Sequence, residues 1–352
     1  MIADWVVVAT ATIGGPYGQF WGKVDVGVVS YVAGQECRVR LFDPQTLAWG
    51  ADTQANQTTS GEQNEQEVIR LDDGRIVCAW SDRSAILSTY MTVMGRVYSP
   101  TLAPLTDEFR LTNVATTSWR PMLCAAPGGR WLAAWTEEWN EEAVWGMWDG
   151  AARVSGPHPL HAPSGSRQNM PDVAWHRGRV LWAFQDAANA QPLDMVRGVS
   201  SIHGAVTRSD PWPQAGNQYE CRVASNGRAA VYTWNVSGTS FSGVWFHRNL
   251  EPPALLGASG CDAEADLGQD RGLIVWDGGA AVWIQRLSGT GQLDGQPVAL
   301  ASGLLPTPAG EVGRRQCDVR VVGDRAWVTY GVWSGANYTA MDVRLVVLHW
   351  TP

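Results

Sequence analysis

Gly74-Arg75-Ile76-Val77-Cys78-Ala79-Trp80 decides the fold, because its pattern keeps returning along the chain. The phrase is a glycine, a basic residue, and an apolar run that ends in an aromatic ring. Gly129-Arg130 leads in the same way to Trp135, Gly178-Arg179 to Phe184, and Gly227-Arg228 to Trp234. Asp270-Arg271 leads to Trp276, Asp324-Arg325 leads to Tyr330, and Gly22-Lys23 reads as a degenerate first copy. Basic residues at 23, 75, 130, 179, 228, 271 and 325 give a mean period of about 50 residues, the range of repeat architectures.

Each copy has similar surroundings. Ahead of the phrase lies a short alternating segment such as Glu67-Val68-Ile69-Arg70-Leu71 or Asp318-Val319-Arg320-Val321-Val322. Tight links such as Asp72-Asp73 and Ser225-Asn226 supply hairpin chemistry between the two. A third strand follows (93–99; 282–289), then a weak fourth (109–111; 297–300). No stretch holds the 3.6-residue apolar period of a helix for long. Four short strands per repeat predict an all-β fold, a seven-bladed β-propeller of four-stranded antiparallel blades, as a single domain over 1–352. The last copy, from about Cys317, supplies only three strands. Trp5 to Thr12 forms a strand too far ahead of Gly22-Lys23 for a tight hairpin. It is expected to complete the last blade and close the ring; the alternative is an innermost first-blade strand followed by a long loop.

Composition narrows the functional classes. The 352 residues include 20 Trp and 38 Gly, with Lys23 the only lysine. With 45% hydrophobic and 17% charged residues, the chain is neither disordered nor a coiled coil. A net charge of −8 argues against a nucleic-acid partner, which requires a basic footprint. No apolar run reaches the length of a membrane span, so no membrane insertion is expected. Asp4 stands where a signal peptide needs basic charge. The sequence does not name a compartment; an extracellular or virion-surface location is the expectation. The six Cys and six His lack zinc spacing, and Asp262-Ala263-Glu264-Ala265-Asp266 lacks the Gly and spacing of a calcium loop, so no metal and no cofactor is expected. An even cysteine count leaves disulfides open.

The tryptophans divide into two sets. Trp80, Trp135, Trp234 and Trp276 share one repeat position, where a large ring fills the wedge between blades. Trp119 and Trp139 stand instead in loop-like contexts, where flat aromatics serve as platforms for sugar rings or protein contacts. Strands alternate in direction, so loops between second and third strands share a ring face with the links between blades. On that face the candidate ligand-binding residues are Trp119, Arg120, Glu137, Glu138, Trp139, Asp186, Tyr219 and Asn235. Carboxylates, amides and Arg with aromatics suit a polyhydroxylated ligand.

Acids also recur at the innermost strands: Glu67, Asp172, Glu220, Asp262 and Asp318, with Arg222 and Arg320 on the same strand face as the acid two residues earlier. They read as ion pairs that set blade register, or as a ring holding a polar ligand. The Ser-x-Asp-x-Gly-x-Thr-Trp boxes of sialidases are missing, and no catalytic residue is assigned, although loop acids are plentiful enough for glycoside hydrolysis.

The run from Leu71 to Trp80, Gly95-Arg96-Val97-Tyr98 and Phe109-Arg110-Leu111 resembles repeats of large bacterial surface and secreted proteins. Glu142-Ala143-Val144-Trp145-Gly146-Met147-Trp148-Asp149-Gly150 is similar to the Trp-rich blades of seven-bladed bacterial and fungal lectins. The lectin resemblance implies sugar pockets between blades, although no single ligand motif repeats in each. The expected function is a non-catalytic, lectin-like carbohydrate-binding propeller. Two alternatives are a structural or adhesive module of a phage particle or cell surface, and a carbohydrate-active enzyme such as a glycosidase or polysaccharide lyase. Expected partners are a glycan or a surface protein, with a homo-oligomer or particle assembly as a further option.

Overall fold

The structure is a computed structural model that describes residues 4–13, 19–84, 91–112, 117–137, 142–160, 168–186, 194–212, 217–237, 243–248, 254–257, 261–304, 316–334 and 340–351. Every regular element among them is a β-strand, and the strands form seven four-stranded antiparallel sheets. Six sheets are blades made from four consecutive strands: 19–54, 63–110, 118–159, 168–212, 217–257 and 261–302, numbered here blades 1 to 6. The remaining sheet is composite. It joins Asp318–Val322, Arg325–Ser334 and Ala340–Thr351 to the N-terminal strand Asp4–Ile13, which pairs along Ala340–Thr351 from Asp4↔Thr351 to Ile13↔Val343. Six contiguous blades, not seven, are therefore what the chain supplies, and the seventh sheet exists only by combining strands from its two ends. The innermost strands touch in cyclic order, with Asp318–Val322 against both Cys261–Leu267 and Gln19–Asp25.

The repeated phrase has a physical cause at each of its ends. Gly74 and Gly178 turn the chain from first to second strand with φ of +85° and +79°, a region that side chains other than glycine rarely adopt. A Cβ on Gly178 would meet nothing, so conformation, not space, requires glycine there. Arginines beside these turns reach the next blade: Arg75 Nη2 donates to Gly129 O (2.8 Å), and Arg325 Nη1 donates to Pro44 O (3.1 Å). At the other end of the second strand, Trp80, Trp135, Trp234 and Trp276 each occupy a different cluster between neighbouring sheets. Phe184 and Tyr330 do the same for two more. A blade such as the second buries every residue of Ile76–Asp82, because both of its faces are covered.

The first copy departs from the expected register. Lys23 lies inside the innermost strand Gln19–Asp25, and the hairpin that follows turns at Val26-Gly27, with Gly27 at φ +69°. The lysine is thus equivalent to the innermost-strand acids of other blades and not to Arg75.

Candidate functional site

The innermost strands of blades 1 to 6 share an irregularity near their starts. Each inserts one extra residue against its partner strand, between Phe20/Lys23, Asn64/Glu67, Trp119/Met122, Asn169/Asp172, Tyr219/Arg222 and Cys261/Glu264. Within each bulge one non-glycine residue takes a left-handed conformation: Trp21, Glu65, Arg120, Met170, Glu220 and Asp262, with φ between 50° and 55°. Gln316 (φ 37°) holds the corresponding place ahead of Asp318–Val322. Such conformations cost about 1–3 kcal/mol each and persist where surrounding structure imposes them.

A bulge frees a backbone N–H from the ladder, and the blade before it supplies the acceptor. Arg120 N donates to Glu65 Oε2 (3.1 Å) and Ser81 Oγ (3.0 Å), and Met170 N donates to Thr136 Oγ1 (3.1 Å). Asp262 N donates to Glu220 Oε2 (3.2 Å), and Gln316 N donates to Asp262 Oδ2 (3.3 Å). Re-aimed by the bulges, Glu65, Arg120, Met170, Glu220, Asp262 and Gln316 surround a cavity at this end of the channel.

Two residues further along each strand lies the floor of that cavity. Lys23 Nζ is 3.4 Å from both Glu67 Oε2 and Glu264 Oε1 and 4.0 Å from Asp318 Oδ1. Arg222 Nε also bonds Glu264 Oε1. Burial would lower the lysine's pKa, but Glu264, Glu67 and Asp318 together hold it above the ordinary value. Glu264 stays below the usual carboxylate range: burial opposes its charge, and Arg222 and Lys23 outweigh burial. Its neighbours lack that double support. Burial pushes Glu67 up to about 8, Asp318 to about 7 and Asp172 to about 6, against the pull of Lys23 or Arg222. This layer separates the upper cavity from a larger one below, lined by Asp25, Cys124, Asp266 and Arg320 among others.

The recurrent acids on these strands also join blades. Asp25, Asp172, Asp266 and Asp318 each accept the backbone N–H of an innermost strand in the next sheet, at Arg70 (2.8 Å), Val223 (2.7 Å), Val321 (2.6 Å) and Val24 (2.6 Å). Arg320 sits between Asp25 (3.0 Å) and Asp266 (3.5 Å), and these two acids raise its pKa. The periodic acids therefore act first as staples between blades.

Above the floor, Asp262 and Glu220 form a carboxyl pair from adjacent blades. Burial is the main reason the Asp262 carboxyl is pushed well above its ordinary range, and the Glu220 charge, with a hydrogen bond between the two, adds to it. Asn235 donates its Nδ2 to Glu220 Oε2. Across the mouth, Arg120 Nε pairs with Glu65 Oε1 (3.1 Å), whose Oε2 also accepts from Ser81 Oγ (2.9 Å). The site thus has a buried carboxyl pair on one wall and an ion pair on another.

Of the residues expected from sequence to bind ligand, Arg120 lines this cavity, and Asn235 is fully buried one hydrogen bond behind it. Tyr219 pairs in register with Asn235 and is half-buried. Trp119 is half-buried, with the Arg120 guanidinium 5.4 Å from its ring centre. Glu137 and Asp186 are buried at the ends of second strands in blades 3 and 4, outside the cavity lining. Glu137 accepts the Trp135 indole N–H at 3.2 Å, and burial raises its pKa. Glu138 and Trp139 lie outside the described residues. Trp145, Trp148 and Trp333, which stand off the shared repeat position, are buried as well. Reading from sequence left Lys23, Glu65, Glu264, Arg222 and Asp262 out of the site. The paired acid and Arg on one strand face at Glu220 and Arg222 was the available signal. None of the six cysteines is paired in a disulfide, and no group of three or more His, Cys, Asp or Glu among the described residues has metal-binding geometry.

No protein-family description and no curated protein matches the sequence. Solved structures do share the fold. The GH93 α-L-arabinofuranosidase of Fusarium graminearum aligns with a TM-score of 0.59 at 12% identity, over 84% of this chain and 96% of that one. A polysaccharide lyase aligns with a TM-score of 0.58 at 10% identity, over 95% and 90%. The β-propeller domain of the trilobed protease from Pyrococcus furiosus aligns with a TM-score of 0.54 at 9% identity, over 94% and 95%. None of these three is a lectin. At such identities the likeness establishes the architecture, an all-β propeller of four-stranded antiparallel blades.

Proposed function

We propose that the protein is a carbohydrate-active enzyme that cleaves a glycosidic bond in the cavity at the bulge end of the channel. The observation that carries this reading is one cavity lined by carboxyl groups on well-separated blades: Asp262, seated against Glu220 with burial raising its pKa, and Glu65, held by Arg120 and the Ser81 hydroxyl. Glycoside hydrolysis needs such a pair: an acid to protonate the leaving oxygen and a carboxylate to support the positive charge developing on the sugar. Asp262 is the acid in this scheme, and Glu220 beside it favours the protonated form. Glu65 is the opposing carboxylate. Arg120 and Gln316 supply donors to sugar hydroxyls. Fold likeness to an arabinofuranosidase and a polysaccharide lyase is consistent with this reading and supports it only at the level of architecture.

The test is release of reducing ends or unsaturated products from a panel of arabinans, other plant and algal polysaccharides, and aryl glycosides. Asp262→Asn and Glu65→Gln should each lower turnover by at least about a hundredfold while the fold is kept. Turnover unchanged in both variants rejects the assignment. The lectin-like reading has one observation of its own, the half-buried Trp119 ring beside Arg120. Glycan binding without turnover in the unmodified protein would put that reading in its place.

A further inference from the structure

Among the described residues, three cations border the upper cavity, and two of them are committed. Lys23 is held by Glu67, Glu264 and Asp318, and Arg222 gives Nε to Glu264 and Nη1 to Cys221 O (3.1 Å). Arg120 differs. Glu65 takes its Nε and its backbone N–H, so the base of the side chain is anchored. Among the described residues, the far edge of the guanidinium has only the Met170 thioether near Nη1, at 3.1 Å. A thioether is a weak acceptor, and a guanidinium presents five N–H donors in a rigid fork. The side chain keeps about a quarter of its surface exposed at the mouth, with the Trp119 ring beside it.

From this arrangement we propose that Arg120 is an anion subsite, and that the sugar taken by the cavity carries a carboxylate or a sulfate there. The inference rests on the carbohydrate reading above. Two oxygens of such an anion meet the open Nη edge through two parallel N–H···O bonds, a geometry lysine cannot reproduce. Glu65 fixes the plane of the fork before the ligand arrives, which reduces the ordering cost of binding. Met170 occupies the position from which an acceptor side chain would otherwise consume Nη1.

Calorimetric titration with a galacturonate oligomer, a sulfated galactose oligomer and a neutral arabinose oligomer tests this. At least one acidic oligomer should bind about tenfold or more tightly than the neutral one, and the two acidic arms identify which group is recognised. Arg120→Lys should lose most of that margin although charge is retained. Met170→Gln, which offers Nη1 an internal oxygen and leaves the Glu65 pair in place, should weaken the acidic ligand and spare the neutral one. Equal binding of acidic and neutral oligomers overturns the anion subsite and leaves the carbohydrate reading standing. Acidic binding undiminished in Arg120→Lys also overturns it. No binding by any of the three overturns both.

Discussion

Lys23 Nζ and Glu264 Oε1 meet at 3.4 Å in the channel, from strands 241 positions apart in the sequence. The contact ties blade 1 to blade 6 across the intervening composite sheet. Because Arg222 shares the same carboxylate, the three side chains behave as one unit. Removing the ammonium would leave Glu264 with one partner and Glu67 with none of comparable strength. Lys23→Met should therefore destabilise the protein by about 3–5 kcal/mol, measured by denaturant unfolding, and the double variant Lys23→Met/Glu67→Leu should recover part of the loss.

Burial also protects the lysine from chemistry. Amine-reactive reagents should leave Lys23 unmodified in the native protein and modify it fully after denaturation, read from the mass of the peptide that contains it. Rapid native labelling would contradict the closed floor.

The floor sets a pH dependence of stability. Glu67, Asp318 and Asp172 are raised to about 8, 7 and 6, chiefly by burial, so the folded state holds these protons more tightly than the unfolded chain does. Their contribution is complete below the ordinary carboxylate range and declines as pH rises through the folded values. The melting temperature should fall by roughly 3–6 °C between about pH 5.5 and about pH 8.5. Glu67→Gln should flatten the upper part of that decline. Glu264 acts in the opposite sense, losing its contribution as pH falls toward and below its depressed value.

Trp145 and Trp119 separate core from site. Trp145 is fully buried between blades 3 and 4, and Trp145→Ala should cost about 3–5 kcal/mol. Trp119→Ala should cost much less and should weaken glycan binding in the titrations above. Equal loss of stability in both variants would mark Trp119 as core.

The repeat was legible because glycine at the hairpin turn and an aromatic at the blade wedge are each demanded by local geometry. Gly74, Gly178 and Gly227 answer a backbone requirement, and Trp80, Trp135 and Trp234 a volume requirement. The bulge was not legible. Its left-handed residue is Trp, Glu, Arg, Met, Glu or Asp depending on the blade, since the conformation is imposed by the neighbouring sheet and not by the residue. That hid the residues re-aimed into the cavity. Lys23 was conspicuous in composition, but its Gly22-Lys23 pairing imitated the turn phrase and moved it one strand from its true place. The acids of the inner strands were visible as a series. Sequence read them as ion pairs that set blade register or as a ring holding a polar ligand; their part as acceptors for the next blade's N–H follows only from the spatial order of the strands.

The N-terminal strand Asp4–Ile13 carries a consequence in time. Its partner Ala340–Thr351 follows it by about 330 residues, and synthesis at about 5–20 residues per second takes roughly 15–70 s over that interval. Throughout it, the strand has no edge to join. Val6, Val7 and Val8 remain largely exposed even in the closed ring, and the waiting segment presents them with an unpaired backbone as well. The last step of assembly is therefore capture of an early-made, sticky ribbon by a late-made edge. Crowded or slowed synthesis should favour capture by the wrong molecule.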